Sequence, residues 1–187
     1  MITESYRNKN DNEIVRSSLE GDRQAFEEIV NRYRGMVART IKGMLGDAIY
    51  AEDVGQEVFI RLYRSLADFR GDSRLSTYIQ RIAVNLTLNE LKRRKRFLSL
   101  FSRKENPEMQ NMEISGQDYM ERKEAEEIVH TALKKLNPDF RLVVTMRMLQ
   151  GYSTKDTAEI LDLPVGTVLS RLARAQEQLK EILKKQI

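Results

Sequence analysis

Cysteine is absent from this 187-residue chain, and histidine occurs once, at His130. Without thiols there is no disulfide, and with a single imidazole there is neither a zinc knuckle nor a Cys- or His-based catalytic constellation. His130 sits in a helical run with Ile128, Val129, Ala132 and Leu133, as a structural or surface residue would. Glycine occurs nine times and proline three, while 32% of residues are charged. So few breakers beside frequent Ala, Leu, Glu, Lys and Arg favours helix throughout. No strand pattern and no internal repeat is visible. The first residues, Met1 to Glu13, are polar and lack an apolar signal core, and no run of 18 apolar residues occurs. The expectation is an all-α, soluble, intracellular (cytoplasmic) protein with no membrane insertion, no metal and no cofactor.

The most informative stretch present is Ser153 to Leu172. Ser153 with Asp156 three places on makes a capping-box start, and Leu161-Asp162-Leu163-Pro164 breaks the periodicity that follows. Small Ala158 stands where two crossing helices come closest. Asp162 occupies the tight turn, where Asp tolerates left-handed backbone better than most residues. The unit reads as a helix-turn-helix. In its second helix Val165, Val168, Leu172, Ala175, Leu179 and Ile182 form the expected buried stripe. Thr167, Ser170, Arg171, Arg174 and Gln178 share another face, whose donors suit base edges and phosphates in a major groove. An ordinary amphipathic helix with a solvated side is the plainer reading of that segment.

The net charge of +4 is unevenly spread. Lys92 to Arg96 is wholly basic, whereas Glu105 to Glu121 holds acidic residues and no Lys or Arg. A basic run is either a solvated face or a nucleic-acid patch. Helical periodicity predicts an opening helix over Asp11–Gly21 with Ile14, Val15 and Leu19 inward. A long helix follows from an Asp22 N-cap to Gly46, then one over Ala48–Leu66 and one over Ser73–Arg96. Residues 8–96 are thus one compact helical domain. Residues 97–118 lose the pattern and read as a flexible linker whose apolar beginning (Phe97, Leu98, Leu100, Phe101) can dock. Residues 119–187 form a second helical domain, with a break at Asn137-Pro138 and a helix from Asp139 to Leu149.

Three surfaces of the first domain carry chemistry. Phe59, Leu62, Tyr63 and Leu66 are the expected inward stripe of the third helix, and Asp53, Gln56 and Glu57 form an acidic and amide patch pointing away from it. Two carboxylates can serve a metal or acid–base chemistry, but no further ligands stand nearby, so a dock for a basic protein surface fits better than catalysis. A solvated helix start is the bland alternative. The loop Phe69-Arg70-Gly71-Asp72-Ser73-Arg74, followed by Tyr78, has the glycine, hydroxyl, arginines and aromatics that can hold an unstacked base and its phosphate. The next helix packs Ile79, Ile82, Ala83, Leu86 and Leu91 inward. It lines much of its other side with Arg81, Asn85, Asn89, Lys92 and Arg96, an arrangement suited to gripping a separated strand.

Five motifs stand in register: Gly21-Asp22-Gln24-Ala25-Phe26; Ala51-Glu52-Asp53-Val54-Gln56-Glu57-Phe59; Phe69 to Ser73; Arg81-Ile82-Ala83-Asn85; and Pro164-Gly166-Thr167-Val168-Ser170-Arg171. In order and spacing the chain resembles the extracytoplasmic-function (ECF) sigma factors of bacterial RNA polymerase, over nearly its whole length. The resemblance implies two domains that bind core RNA polymerase, through the β′ clamp helices and the β subunit, and direct it to promoter DNA. It implies that Asp53, Gln56 and Glu57 contact the clamp helices. Phe69, Arg70, Asp72, Ser73, Arg74, Tyr78, Arg81, Asn85, Lys92 and Arg93 would hold the melted −10 element, and Gly166, Thr167, Ser170, Arg171 and Arg174 the duplex −35 element. The acidic linker would thread toward the RNA exit path, and an anti-sigma protein would restrain the chain. Tyr78 stands where the family usually has Trp, Asn89 replaces a frequent Asp, Thr157 a frequent Ile, and Leu169 a frequent Lys or Arg. The competing expectations are a stand-alone helix-turn-helix regulator, dimeric and active on duplex DNA without polymerase, and a nuclease, which would need an acidic metal site that the sequence does not supply.

Overall fold

The computed structural model describes residues 6–46, 50–101 and 127–184, and these are helical and turn structure with no strand among them. The helices are α1 (Asp11–Leu19), α2 (Arg23–Leu45), α3 (Ala51–Ser65) with a 3-10 turn at Leu66–Asp68, and α4 (Leu75–Phe101). They continue as α5 (127–135), α6 (Pro138–Val144) running into a π turn at Thr145–Leu149, α7 (Thr154–Leu161) and α8 (Val165–Lys184). Residues 102–126, which hold most of the expected linker and its acidic run, lie outside the described residues. The expected boundary at residue 96 is not a helix end, because α4 continues through Phe101.

Local chemistry sets most of the ends. Asp22 accepts from the backbone N–H groups of Gln24 and Ala25 to cap α2, and Gly46 closes that helix at φ 71°. Asn137 caps α6 ahead of Pro138, whose missing N–H costs nothing in a first turn. The helix expected over Asp139–Leu149 is instead a short α segment followed by five residues of wider winding. In that stretch the Gln150 N–H reaches the Thr145 carbonyl at 3.0 Å. An inserted residue of this kind swings the chain to a new direction, and nothing in the apolar spacing announces it.

The first domain buries Ile14, Ile29, Ile41, Val58, Leu62, Leu75 and Ile79 in one core made by α1 to α4. Leu19 and Tyr63, both expected inward, are 51% and 63% exposed. Leu19 lies in the last turn of α1, where the helix leaves the core, and Tyr63 lays its ring edge-on to Phe26 at 5.0 Å. In the second domain Leu133, Leu136, Val144 and Ala175 form one cluster, and Val143, Ala158 and Val168 form another at the helix-turn-helix crossing. Val165 is exposed at the start of α8.

The two domains pack on each other. Met44 of α2 and Val84 of α4 meet Leu142, Met146 and Ile160 of the second domain. At Gly43 a Cβ would lie 2.5 Å from Cγ2 of the Thr145 side chain, so a larger residue fits there only if Thr145 gives way. Helix α4 is therefore buried on two sides. Its expected inward residues Ile79, Ala83 and Leu86 face the first core, while Gln80 and Thr87, fully buried, were not foreseen.

Thr157, the departure from a frequent Ile, is fully buried and its hydroxyl has no hydrogen-bond partner. An unsatisfied buried hydroxyl costs about 1–3 kcal/mol. Thr157→Val keeps the shape and removes that polar group, so it is expected to raise the chain's thermal midpoint. An unchanged or lower midpoint in a calorimetric scan would contradict the cost assigned to the hydroxyl.

Candidate nucleic-acid and polymerase interface

Asp53 and Gln56 are exposed on the first turns of α3, and Glu57 is half-buried. The helix start has no side-chain cap, so Glu52 and Asp53 supply the negative charge its N-terminus favours. Glu57 pairs with Arg61 one turn on at 2.9 Å. The patch projects away from the buried Val54, Val58 and Leu62. Among the described residues no group of three or more His, Cys, Asp and Glu is placed to hold a metal ion.

The loop after α3 is shaped by two aromatic residues. Phe69 and Tyr78 stack obliquely with ring centres 5.3 Å apart, and the Tyr78 hydroxyl donates to the Ser65 carbonyl at 3.1 Å. That bond ties the base of the loop to the end of α3. Gly71 takes φ +78° in open space. Arg70, Asp72 and Arg74 are exposed around it, and the Arg74 carbonyl starts α4 by accepting from Thr77 and Tyr78. Asn85 is exposed one face further along, in a shallow cleft with Arg61, Arg64, Ser65 and Ile82. Arg61 and Arg64 belong to α3, and their charge at this cleft was missed because only the juxtaposition of α3 and α4 reveals it.

The basic run at the end of α4 is partly neutralised from within. Arg93 and Arg94 both fold back onto Glu90, at 2.7 and 2.9 Å. Arg93's hydrogen bond, against some burial and helped by Arg94, holds the Glu90 carboxyl below the usual carboxylate value. Arg94 also lies over the Tyr50 ring at 4.6 Å. Lys92, on the next face, is exposed.

In the second domain the helix-turn-helix is built as its sequence implies. Ser153 and Asp156 make a reciprocal capping box on α7, and Asp162 takes the left-handed conformation at φ 52°, ψ 51°. The Pro164 carbonyl accepts from Thr167 and Val168 to start α8. Val168 and Ala175 are buried, which turns Gly166, Ser170 and Arg174 outward. A Cβ on Gly166 would meet nothing within 4 Å, so glycine there leaves clearance above the helix. The Ser170 hydroxyl donates to the Thr167 carbonyl at 3.1 Å, and Arg171 reaches Asp139 of α6 at 3.2 Å.

Arg81, expected on the strand-gripping face, is engaged by the other domain: its guanidinium donates to the Glu159 carbonyl at 2.9 and 3.1 Å. Two further residues that sequence reasoning missed join the domains. Gln80 and Gln150 both donate to the Thr40 hydroxyl, at 2.7 and 2.9 Å, and Gln80 also donates to the Gln150 side-chain amide oxygen Oε1 at 3.0 Å. Thr40 itself donates to the Met36 carbonyl.

These features define a two-domain protein, all-helical among the described residues, that pairs a helix-turn-helix with a separate face of basic and aromatic residues. Comparison with known proteins makes the class specific. Residues 29–97 match the family model of sigma-70 region 2, and residues 126–179 that of sigma-70 region 4. The RNA polymerase sigma-H factor of Pseudomonas aeruginosa is 35% identical over 92% of this chain and 93% of its own length. The ECF RNA polymerase sigma-E factor of Escherichia coli K12 is 37% identical over 90% of this chain and 92% of its own. In fold, the chain is similar to CnrH as solved in complex with the cytosolic domain of CnrY, with a TM-score of 0.69, 24% identity, and coverage of 94% of this chain and 97% of that one. It is also similar to the Bartonella quintana sigma factor RpoE solved with the anti-sigma factor NepR, at TM-score 0.66 and 21% identity over 85% and 96%. The chain belongs to the extracytoplasmic-function sigma factors of RNA polymerase. As a sigma factor its partners are core RNA polymerase and promoter DNA. Among the described residues no helix is long and apolar enough to cross a membrane.

Proposed function

We propose that the first domain docks on core polymerase through Asp53, Gln56 and Glu57 and holds the melted −10 strand with the Phe69–Arg74 loop, Tyr78, Arg81, Asn85, Lys92 and Arg93. The second domain reads the −35 duplex with Thr167, Ser170, Arg171 and Arg174 over Gly166. The chain acts in the cytoplasm, without catalytic activity of its own, and an anti-sigma protein restrains it, as one accompanies the RpoE relative. The working boundaries are residues 8–96 and 119–187. The observation that carries this reading is the placement of the three patches. The acidic patch, the Phe69–Arg74 loop and the Gly166–Arg174 face each present exposed polar groups, while the helices that bear them bury other faces.

The direct test is run-off transcription from genomic fragments of the source bacterium by purified core polymerase, with and without the chain. New discrete transcripts are expected, and their start sites give the −10 and −35 elements. No added transcripts and no core binding would overturn the reading. In the same assay Arg171→Ala is expected to weaken −35-dependent promoters by about 1–3 kcal/mol, the worth of a bidentate base contact. Arg171 pairs with Asp139 in the free chain at 3.2 Å, and that bond must be exchanged for the DNA contact. Unchanged promoter preference in this variant would remove Arg171 from the reading helix.

A further inference from the structure

Helix α1 is nine residues long, and its first turn is held both from within and by α2. Asn10 and Glu13 cap each other: the Asn10 N–H donates to the Glu13 carboxylate at 2.8 Å, and the Glu13 N–H to Asn10 Oδ1 at 3.0 Å. The Asp11 carboxylate accepts from Arg32 at 3.2 Å and from the Tyr33 hydroxyl. Burial first, and the bond to Asp11 next, push the Tyr33 pKa up, so that hydroxyl stays a donor. Arg32 also donates to the carbonyls of Tyr6 and Arg7, at 2.8 and 3.2 Å, and so fixes the strap that leads into the helix. Tyr6, itself buried, donates its hydroxyl to Asp22, the cap of α2.

This framework presents two amides. Asn10 and Asn12 are exposed. The cap engages Asn10 Oδ1 and leaves its NH2 group to donate, while Asn12 makes no bond among the described residues and keeps both ends of its amide. Both border a cleft of about 780 Å³ with Asp72, Ser73, Arg74 and Thr77 of the loop and the start of α4, and Lys155, Asp156 and Glu159 of α7. That volume is in the range of clefts that bury a small organic ligand. The charges around it balance. Asp11 and Glu159 are paired with Arg32 and Arg81, which leaves Asp72 and Asp156 against Arg74 and Lys155. A phosphate wants a surplus of cations; a neutral cleft rich in donors and acceptors suits the edge of a base. Because α1 and the loop belong to one domain, this wall stays beside the loop wherever the second domain sits.

We propose that the start of α1 is a further specificity-determining wall of the strand site: Asn12, with the Asn10 amide beside it, reads the edge of a second unstacked base next to the one held by the Phe69–Arg74 loop. This rests on the reading of that loop as the strand holder. An Asn amide matches a base that sets a ring-nitrogen acceptor beside an amino donor, which adenine and cytosine do and guanine and thymine do not. The bonds to Arg32 and Tyr33 hold the amides in place before the strand arrives, so little ordering is left to be done on binding.

The measurement is run-off transcription by the full chain with core polymerase, on a promoter obtained from the genomic fragments. Each base of the melted non-template strand is changed in turn to the other three. At one position guanine or thymine is expected to lower the parent chain's output about tenfold, the worth of one good base contact. Asn12→Ala is expected to respond less than about twofold at that position and to keep the parent's preferences at the others. Asn10→Ser retains a capping oxygen and loses the amide, so it is expected to weaken the same preference in part. Asn8→Ala, the same loss outside the cleft, is expected to match the parent. Parent-like preferences at every position in Asn12→Ala would overturn the proposal. So would a uniform loss at all positions, which marks damaged packing, or an equal effect of Asn8→Ala. Those results leave the sigma reading standing, whereas a parent chain that yields no transcripts would overturn both.

Discussion

Arg141→Ala is expected to lower the thermal midpoint by roughly 6–12 °C, taking about 3 kcal/mol of lost stability and 2–4 °C per kcal/mol for a chain of this size. Arg141 is buried and, among the described residues, pairs with no carboxylate; it donates instead to the carbonyls of Met44 at 2.7 Å, Lys134 at 2.6 Å and Leu136 at 3.1 Å. Those acceptors lie at the C-terminal ends of α2 and α5, where unpaired carbonyls concentrate partial negative charge. Burial pushes the guanidinium pKa down from its usual value, yet a guanidinium starts so high that it stays charged. Alanine would orphan three acceptors and empty a buried volume at once. Arg141→Lys, with one ammonium for three carbonyls spread around a planar fork, is expected to recover only part of the loss. Circular dichroism melting of both variants checks this, and a midpoint within a degree of the parent chain would refute the stitching role.

Removing Asp53 and Glu57 together is expected to behave oppositely, leaving the fold and damaging assembly. The exposed Glu57–Arg61 pair is lost, and an exposed pair of that spacing contributes about 0.3–0.5 kcal/mol. Losing Asp53 also removes a favourable charge from the first turn of α3, a comparable amount. Against a basic partner surface, truncating charged groups that become desolvated costs about 2–5 kcal/mol, roughly 30-fold or more in affinity. Titration of core polymerase with labelled chain, beside a melting curve, separates the two effects. Full core affinity in the double variant would exclude this patch as the dock.

What could be read from the sequence was local. The Ser153–Asp156 box, the left-handed Asp162, the Asp22 cap and Gly46 all stand as their residue types imply, because each depends on chemistry within four residues. The five motifs carried the family, and the family holds. Burial that depends on a second surface was not legible. Gln80 and Thr87 belong to no apolar stripe yet are fully buried, Gln80 against Gln150 of the second domain. Val165 and Tyr63 fitted apolar stripes but lie where no neighbour reaches far enough to cover them. The π turn at Thr145–Leu149 also escaped notice, since its one-residue offset changes direction without changing composition. The surroundings of the expected strand-gripping residues were not legible: Arg81 and Arg93 are engaged by Glu159 and Glu90, respectively.

The residues that meet between the domains bear on solubility. Met44, Val84, Leu142, Met146 and Ile160 are each nearly inaccessible to water while the domains touch, and parting them creates a contiguous apolar patch with two thioethers in it. Patches of this sort invite association with whatever apolar surface is nearby, and methionine, unbranched and pliable, adapts to many such surfaces. The packing of the two domains keeps these side chains from water and from such surfaces.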